Sequence, residues 1–222
     1  MDKKKLAGEK ATEYIKDGMI LGLGTGSTAY YMIKKVGELV KAGMNLKAVA
    51  TSKSTEELAI QLQIPLVSID EIDKIDLSID GIDEIDKNFN AIKGGGGALF
   101  REKIVASLAD EVIWIMDDSK LVDYIGAFPL PIEILPYGYT QVIKKLKNHS
   151  FNPKLRMKNG KPFITDNGNY IVDLHFNSKI DIDYTLKKIN EITGVLENGL
   201  FLNMCQRIVI GTEQGVKIIE NK

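Results

Sequence analysis

The sequence is poor in residue types that several protein classes require. Its one cysteine, Cys205, excludes an internal disulfide and a zinc site built from cysteines, and its apolar neighbours predict a buried structural thiol. Its two histidines, His149 and His175, lie outside the loops that carry candidate chemistry, so no nucleophile–histidine triad is indicated. No apolar stretch is long enough to cross a bilayer, and the charged first residues lack the apolar core of a signal peptide. We therefore expect a soluble, cytoplasmic protein with no membrane partner.

An excess of either charge is also missing. The 222 residues include 29 Lys and Arg against 30 Asp and Glu, for a net charge of -1. This balance provides no basic field for binding nucleic acid, so we expect no nucleic-acid partner. The length allows a sizeable core, arranged as one domain or as a domain with a small companion.

Strand and helix patterns alternate through the first half of the chain. A buried strand over residues 19–23 leads through a glycine-rich turn into a helix over about residues 28–42, which closes at Gly43. This alternation continues and predicts an α/β fold with a parallel sheet and helices on both faces. After residue 128 the pattern changes to strands around two helices with antiparallel turn signals, which predicts a small α+β insert. Strand-like runs within residues 208–219 are predicted to add to the first sheet.

A run of four glycines, Gly94–Gly97, is the most informative stretch. Without side-chain restraint, several backbone N–H groups can turn toward one point and bind a small anion. A flexible linker is the alternative interpretation. The run passes directly into apolar positions at helical spacing, which favours a functional loop. Lys93 precedes the run, and Glu102 follows it as a plausible general base.

A second glycine-rich turn, Gly22–Thr28, follows a strand and opens a helix. Free N–H groups and the helix dipole favour a phosphate at such a turn. The hydroxyls of Thr25, Ser27 and Thr28 suit a terminal phosphate monoester better than a bridging pyrophosphate. A purely structural turn is the alternative.

The same turn also fits the dinucleotide fingerprint at Gly24, Gly26 and Ala29, which is a weak signal alone. The acid expected to bind a ribose hydroxyl is missing, and Lys53 lies near the end of the second strand, where a 2′-phosphate could meet it. An NADP-dependent reductase therefore stays an alternative. The Walker pattern fails, because no Gly-Lys-Ser/Thr follows.

Charged residues follow two further predicted strands. Asp80 and Asp83 can hydrogen-bond sugar hydroxyls or move protons, and a solvated acidic turn is the alternative. This stretch imitates the start of an EF-hand loop, but Lys87 stands where a bidentate glutamate is needed, so calcium is not expected. Lys120 follows the other strand and is either a phosphate ligand or a surface lysine.

In this order, the clusters resemble the A-type ribose-5-phosphate isomerases. The matching pieces are Gly24–Thr28, Ser54–Glu56, Asp80–Glu84, Lys93–Gly96, Arg101–Lys103, Ser119–Lys120, Phe128–Pro131, Thr165–Asn169, Gly211–Thr212 and Gly215–Lys217. The resemblance runs nearly end to end, and the ordered set is far more specific than any single motif.

The resemblance implies an aldose–ketose isomerase, an intramolecular oxidoreductase of the non-oxidative pentose phosphate pathway. It would interconvert ribose 5-phosphate and ribulose 5-phosphate through an enediolate, without metal or organic cofactor. The implied catalytic residues are Glu102, Asp80, Asp83 and Lys93. The implied substrate-binding residues are Thr25, Gly26, Ser27, Thr28, Gly81, Ile82, Gly94, Gly95, Gly96 and Lys120. Within these sets, Thr25 to Thr28 and Lys120 would hold the phosphate and Glu102 would carry the proton between C1 and C2. The sequence itself does not rank Glu102, Asp80 and Asp83 as the base.

The resemblance also implies a Rossmann-like catalytic domain over residues 1–128 and 205–222 and a ferredoxin-like lid over residues 129–204. It further implies a homodimer or homotetramer. Two features depart from the family. The first is the pair Gly97 and Phe100, where members often carry Ala and a small or polar residue, and the second is the segment Leu202–Arg207, which is unlike the usual linker to the last strands. We expect the first departure to affect the loop or the pocket wall and the second to affect the hinge between the domains. A catalytically silent sugar-phosphate sensor is the alternative from another class, but such regulators generally carry a DNA-binding module, for which this chain has no spare length.

Overall fold

The computed structural model describes residues 2–176 and 178–221. The helices are α1 (Lys3–Ala11), α2 (Ser27–Lys41), α3 (Lys53–Gln61), α4 (Leu99–Ser107), α5 (Tyr139–Asn148) and α6 (Ile182–Asn190). The strands are β1 (Ile20–Leu23), β2 (Lys47–Ala50), β3 (Ile75–Gly81), β4 (Glu84–Asp86), β5 (Ala91–Ile92), β6 (Ala109–Asp117), β7 (Leu121–Val122), β8 (Leu130–Ile134), β9 (Asn152–Leu155), β10 (Met157–Lys158), β11 (Lys161–Pro162), β12 (Tyr170–His175), β13 (Val195–Asn198), β14 (Leu200–Phe201), β15 (Arg207–Thr212) and β16 (Gly215–Glu220). Within the described residues, no helix is both long enough and apolar enough to span a membrane.

The chain forms two compact units. The first contains the residues up to Ile82, Arg101–Lys120 and the residues from Leu202 onward, and the second contains Asp83–Phe100 and Leu121–Phe201. The units interleave more finely along the chain than the domain ranges expected from the sequence, because β4 and β5 pair with β7 and β14 in a small sheet of their own. The expected domain ranges stay a prediction.

The first unit is built on a parallel-rich sheet with the strand order β16-β15-β6-β3-β1-β2, in which β15 and β16 pair antiparallel and the other neighbours pair parallel. This confirms the predicted Rossmann-like sheet. Strands β1 and β6 contain runs of buried apolar residues, as expected for a sheet covered on both faces, whereas β3 also buries Ser78 and Asp80. The carboxyl ends of β1, β3 and β6 meet at one edge of the sheet, where open parallel sheets bind their ligands.

The local sequence explains why α1 and α2 form near this edge. Helix α2 buries Ala29, Ile33 and Val36 on one face, at the spacing of an amphipathic helix. Helix α1 is capped at its N-terminus by Asp2, whose carboxylate accepts the amide protons of Lys4 (3.0 Å) and Lys5 (3.2 Å). The first turn of α1 is therefore held in a defined orientation.

The second unit contains the elements β8, α5, β9, β12, α6 and β13 in chain order. Their sheet has the strand order β13-β8-β12-β9, with every neighbour antiparallel. This βαββαβ arrangement confirms the predicted ferredoxin-like α+β fold. Leu146 of α5 and Ile189 of α6 are fully buried, as are Ile132 and Leu174 of the sheet.

Candidate active site

The turn between β1 and α2 forms the first part of the site, in the first unit. Gly26 caps α2 with φ +108°, a conformation that favours glycine, so the helix starts directly after it. The Thr25 hydroxyl lies within a network of hydroxyls, 2.7 Å from Thr51 Oγ1 and 2.8 Å from Ser52 Oγ. Thr28 is buried in the first turn of α2. The turn is thus rigid and presents the N-terminus of a helix of 15 residues.

An open pocket of about 560 Å³ lies against this turn and is lined by Lys4, Gly26, Ser27, Tyr30, Tyr31, Ile33, Ser54, Thr55 and Leu58. Lys4 Nζ donates to Ser27 Oγ at 3.0 Å. The neighbouring lysines point elsewhere: Lys3 pairs with Asp118 (3.0 Å) and Lys5 with Glu9 (3.8 Å). The sequence interpretation missed Lys4. The signal for it was present as a basic run at the start of an N-capped helix, but nothing in the sequence tells which lysine of the run faces the turn.

The N-cap of α1 fixes the backbone of Lys4. Besides accepting the two amides, Asp2 accepts the Tyr31 hydroxyl at 2.5 Å. This hydrogen bond, followed by the one from the Lys5 amide, holds the pKa of Asp2 below its ordinary value. Asp2 therefore stays ionised and joins α1 to α2 beside the pocket.

Asp80, near the carboxyl end of β3, holds the turn between β1 and α2 through hydrogen bonds to backbone amides. Its Oδ1 accepts the amide protons of Thr25 (2.9 Å) and Gly81 (2.7 Å), and the residue is 1% exposed. A Cβ on Gly24 would lie 2.1 Å from Asp80 Oδ1 and 2.5 Å from Asp80 Cα. Gly24 is therefore required by the close approach of Asp80. Ile82, which follows β3, is buried.

Glu102 lies in α4 and is 5% exposed. Three residues later, Val105 packs so close to β1 that a Cβ on Gly22 would lie 2.5 Å from Val105 Cγ1. Residues three apart share a face of a helix, so Glu102 lies on the face of α4 that packs against the sheet. This places a buried carboxylate in the first unit.

Lys120 ends the short 3₁₀ turn after β6 and is half-buried. Burial by itself would raise the pKa of Asp117, the last residue of β6. Hydrogen bonds from the Ser119 hydroxyl and amide, and then the charges of Lys120 and Lys4, hold that pKa below its ordinary value. Both lysines therefore lie within electrostatic reach of one carboxylate at the ligand edge of the sheet.

The second unit holds the glycine loop and Asp83. Gly94 has φ +99°, Gly97 has φ +86°, and the Gly97 amide donates to Gly94 O at 3.0 Å to close a turn. The Gly95 amide donates to Asp83 Oδ2 at 2.8 Å. A Cβ on Gly95 would lie 2.6 Å from Asp83 Oδ1 and 2.9 Å from Phe128 Cζ. A side chain at position 95 would therefore clash with Asp83, as one at position 24 would clash with Asp80.

Gly97, one of the departures from the family pattern, has a local explanation. Its φ lies in the region that favours glycine, and a Cβ there would lie 2.5 Å from two ring carbons of Phe163. The fourth glycine thus allows an aromatic ring to pack directly on the loop.

Lys93 is 1% exposed and precedes the loop. Its amide donates to Gly199 O at 2.9 Å, and its Nζ lies 5.3 Å from the centre of the Phe201 ring, within the range of a cation–π interaction. The backbone of Lys93 is thus fixed at the base of the loop, and its Nζ lies over an aromatic face.

The predicted site residues accordingly fall into two groups. The first unit brings Thr25, Asp80 and Gly81 into direct contact, and the second brings Asp83 and Gly95 into direct contact. Among the residues that the structure describes, no group of three His, Cys, Asp or Glu side chains is arranged to hold a metal ion.

Comparisons with known proteins agree with the resemblance seen in the sequence. The model of the family ribose 5-phosphate isomerase A (phosphoriboisomerase A) matches residues 47–215. Ribose-5-phosphate isomerase A of Bacillus mycoides (strain KBAB4) is 52% identical over 218 residues, covering 98% of this chain and 99% of the relative. The solved ribose 5-phosphate isomerase from Plasmodium falciparum matches with a TM-score of 0.94 and 42% identity, over 99% of this chain and 98% of that one. A solved D-ribose-5-phosphate isomerase in complex with phospho-erythronic acid matches with a TM-score of 0.93 and 41% identity over the full length of both.

Proposed function

The chain belongs to the ribose 5-phosphate isomerase A family, and on that premise we propose which of its residues interconvert ribose 5-phosphate and ribulose 5-phosphate. Such an aldose–ketose isomerase removes a proton from C2 of the open-chain aldose and returns a proton to C1. A proton also passes from the O2 hydroxyl to O1, so the reaction needs no external oxidant or reductant. The required parts are a phosphate anchor, a base and donors for the enediolate oxygen.

The phosphate binds at the turn before α2. Amides at the helix N-terminus and the hydroxyls of Ser27 and Thr28 donate to its oxygens, while Lys4 and Lys120 neutralise its charge. The contact of Lys4 with Ser27 at 3.0 Å and the joint effect of both lysines on Asp117 support this assignment. Thr25 contributes chiefly through its hydroxyl network, which fixes the shape of the turn.

Glu102 is the base that carries the proton between C2 and C1. Asp80 and Asp83 are less suited to act as the base. One oxygen of Asp80 accepts two backbone amide protons, and one oxygen of Asp83 accepts the Gly95 amide proton. A carboxylate that holds backbone amides is fixed in place and suits a positioning role. Burial does not separate Glu102 from Asp80, so the backbone amides that fix the two aspartates are the single observation that carries this choice.

The enediolate oxygen is stabilised by the glycine loop, Gly94 to Gly96, together with the Lys93 ammonium. Within the loop, the Gly95 amide acts through Asp83, to which it donates at 2.8 Å, and the neighbouring amides face the enediolate. Fixed donors at the point where negative charge develops are the usual device for such an intermediate. Asp83 holds the loop through Gly95 and hydrogen-bonds sugar hydroxyls. Gly81 and Ile82 line the substrate beside Asp80.

The family resemblance supports three further statements as part of this proposal. The enzyme works without metal or organic cofactor, it is located in the cytoplasm, and it assembles as a homodimer or homotetramer. Light scattering of the purified protein measures the assembly directly. A thermal-shift measurement with millimolar NADPH tests the alternative that the protein is an NADP-dependent reductase. An unchanged melting temperature would exclude that alternative.

The decisive experiment measures ribulose 5-phosphate formation from ribose 5-phosphate with EDTA present and no added cofactor. Glu102→Gln is compared with the wild type and with Glu57→Gln, which makes the same change at an exposed position of α3. We expect Glu102→Gln to bind inorganic phosphate normally and to lose at least about 10²-fold in kcat, while the control keeps full activity. An active Glu102→Gln enzyme would move the base to Asp80 or Asp83. A wild type that binds the sugar phosphate without turnover would favour the sensor.

A further inference from the structure

Arg156, between β9 and β10 of the second unit, reaches the glycine loop although no sequence motif marks it. Its guanidinium is held by Asp173 of β12, with Nε 2.9 Å from Oδ2 and Nη2 2.5 Å from Oδ1. Both side chains are largely buried, with exposed fractions of 15% and 16%. This bidentate pair fixes the plane of the guanidinium before it makes any other contact.

The remaining donors of Arg156 face the backbone of the loop. Nη1 donates to the carbonyl oxygen of Gly94 at 2.9 Å and to that of Gly95 at 3.1 Å. One guanidinium nitrogen thus holds two successive carbonyl groups of a segment whose residues have no side chains to restrain them. The backbone of Arg156 is itself fixed, since its amide donates to Ile171 O at 2.8 Å.

Fixing a carbonyl also fixes the amide that follows it. In a planar trans peptide, the C=O of one residue and the N–H of the next point in opposite directions. The hold on Gly94 O therefore directs the Gly95 N–H away from Arg156, and that N–H meets Asp83 Oδ2 at 2.8 Å. In the same way, the hold on Gly95 O directs the Gly96 N–H away from the guanidinium.

We propose that Arg156, held by Asp173, is a positioning residue for the isomerisation: by binding the carbonyls of Gly94 and Gly95, it fixes the Gly95 amide on Asp83 and aims the Gly96 amide at the enediolate. This inference rests on the proposed function, in which amides of the loop stabilise the enediolate. Arg156 touches no substrate atom in this scheme. Its loss lowers the stabilisation of the transition state and leaves the phosphate anchor intact.

The test compares Arg156→Lys and Asp173→Asn with Arg207→Lys. Arg207 makes a comparable ion pair in the first unit, with Glu111 and Glu220, so Arg207→Lys is a matched control for the loss of a buried guanidinium. For each variant we measure kcat and KM for ribose 5-phosphate, inhibition by phospho-erythronic acid, and the affinity for inorganic phosphate. Phospho-erythronic acid carries a planar carboxylate that resembles the enediolate in charge.

We expect Arg156→Lys to lower kcat about 10- to 100-fold. Inhibition by phospho-erythronic acid weakens by a similar factor, and the affinity for inorganic phosphate is unchanged. Asp173→Asn gives a smaller effect of the same kind, and Arg207→Lys gives none. Three results would overturn the proposal: full kcat in Arg156→Lys, parallel loss of phosphate affinity, or an equal loss of kcat in Arg207→Lys.

A second measurement does not depend on the reaction. With ¹⁵N-glycine labelling, the amide signals of Gly95 and Gly96 shift or broaden in Arg156→Lys and stay unchanged in Arg207→Lys. Unchanged signals in Arg156→Lys contradict the positioning role even if the wild type proves to catalyse nothing. A wild type without isomerase activity but with the expected signal changes contradicts only the proposed function.

Discussion

Replacing Gly24 with alanine tests whether the approach of Asp80 fixes the phosphate-binding turn. The new Cβ would lie 2.3 Å from Asp80 Cγ and 2.5 Å from its Cα, whereas ordinary contacts begin at 3.4 Å. A flexible side chain can rotate away, but the Cα belongs to β3, which is paired with β1 on one side and β6 on the other. The backbone must therefore separate by about 0.9 Å, and displacements near 1 Å at a catalytic site cost about 10²-fold in rate.

We expect Gly24→Ala to lower the free energy of unfolding by about 1–3 kcal/mol, the usual cost of overpacking, and kcat by about 10²-fold. Urea unfolding and initial rates at saturating ribose 5-phosphate measure the two effects separately. The control is Gly43→Ala, at φ +103° with no atom within 4 Å of the new Cβ. It costs stability of about 1–2 kcal/mol through backbone strain alone and leaves kcat unchanged. A Gly24→Ala enzyme with kcat within threefold of the wild type would refute this reasoning.

Two further predictions concern other parts of the first unit. Lys4→Met raises KM for ribose 5-phosphate about 10-fold or more, since a charged hydrogen bond contributes about 1.5–3 kcal/mol, and leaves kcat nearly unchanged. Lys5→Met is the matched control, because the Lys5 ammonium lies near Glu9, and equal KM values in the two variants would speak against a phosphate contact by Lys4. Cys205 is 1% exposed, and burial raises the pKa of its thiol to about 12, so iodoacetamide at pH 8 modifies the native protein far more slowly than the unfolded protein. Rapid alkylation of the folded protein would show that the thiol is accessible.

Much of the fold was predictable because its main signals are local. The glycine turn at residues 22–28 leads into α2, and the strand that ends near Asp80 buries Ile75, Leu77 and Ile79. The ferredoxin-like unit followed from the resemblance, and its strand order confirms it. Strands β4 and β5 have three and two residues, too few to show a periodic pattern. Their pairing with β7 and β14 therefore escaped the sequence interpretation.

The site was harder to predict wherever a residue acts across a long separation. Asp80 and Gly81 carry a local signal at the end of a strand. Arg156 lies 62 residues from Gly94 and sits in an ordinary strand pattern, so only folded coordinates bring the two together. The reason for glycine at position 24 was also hidden. The motif gives no sign of the residue that requires this glycine, whereas the structure shows that Asp80 occupies the space beside it.

The sheet of the first unit cannot be completed until the residues of β15 and β16 have been synthesised. Strand β6 pairs with β3 on one side, but its other neighbour is β15, which begins only at Arg207. Until then, the apolar run Val112–Met116, buried in the native fold, has one unpaired edge of N–H and C=O groups. A nascent or truncated chain therefore exposes an edge suited to aggregation, and folding that depends on such distant pairing is slow. Expression conditions that limit the concentration of unfinished chains should favour a high yield of folded enzyme.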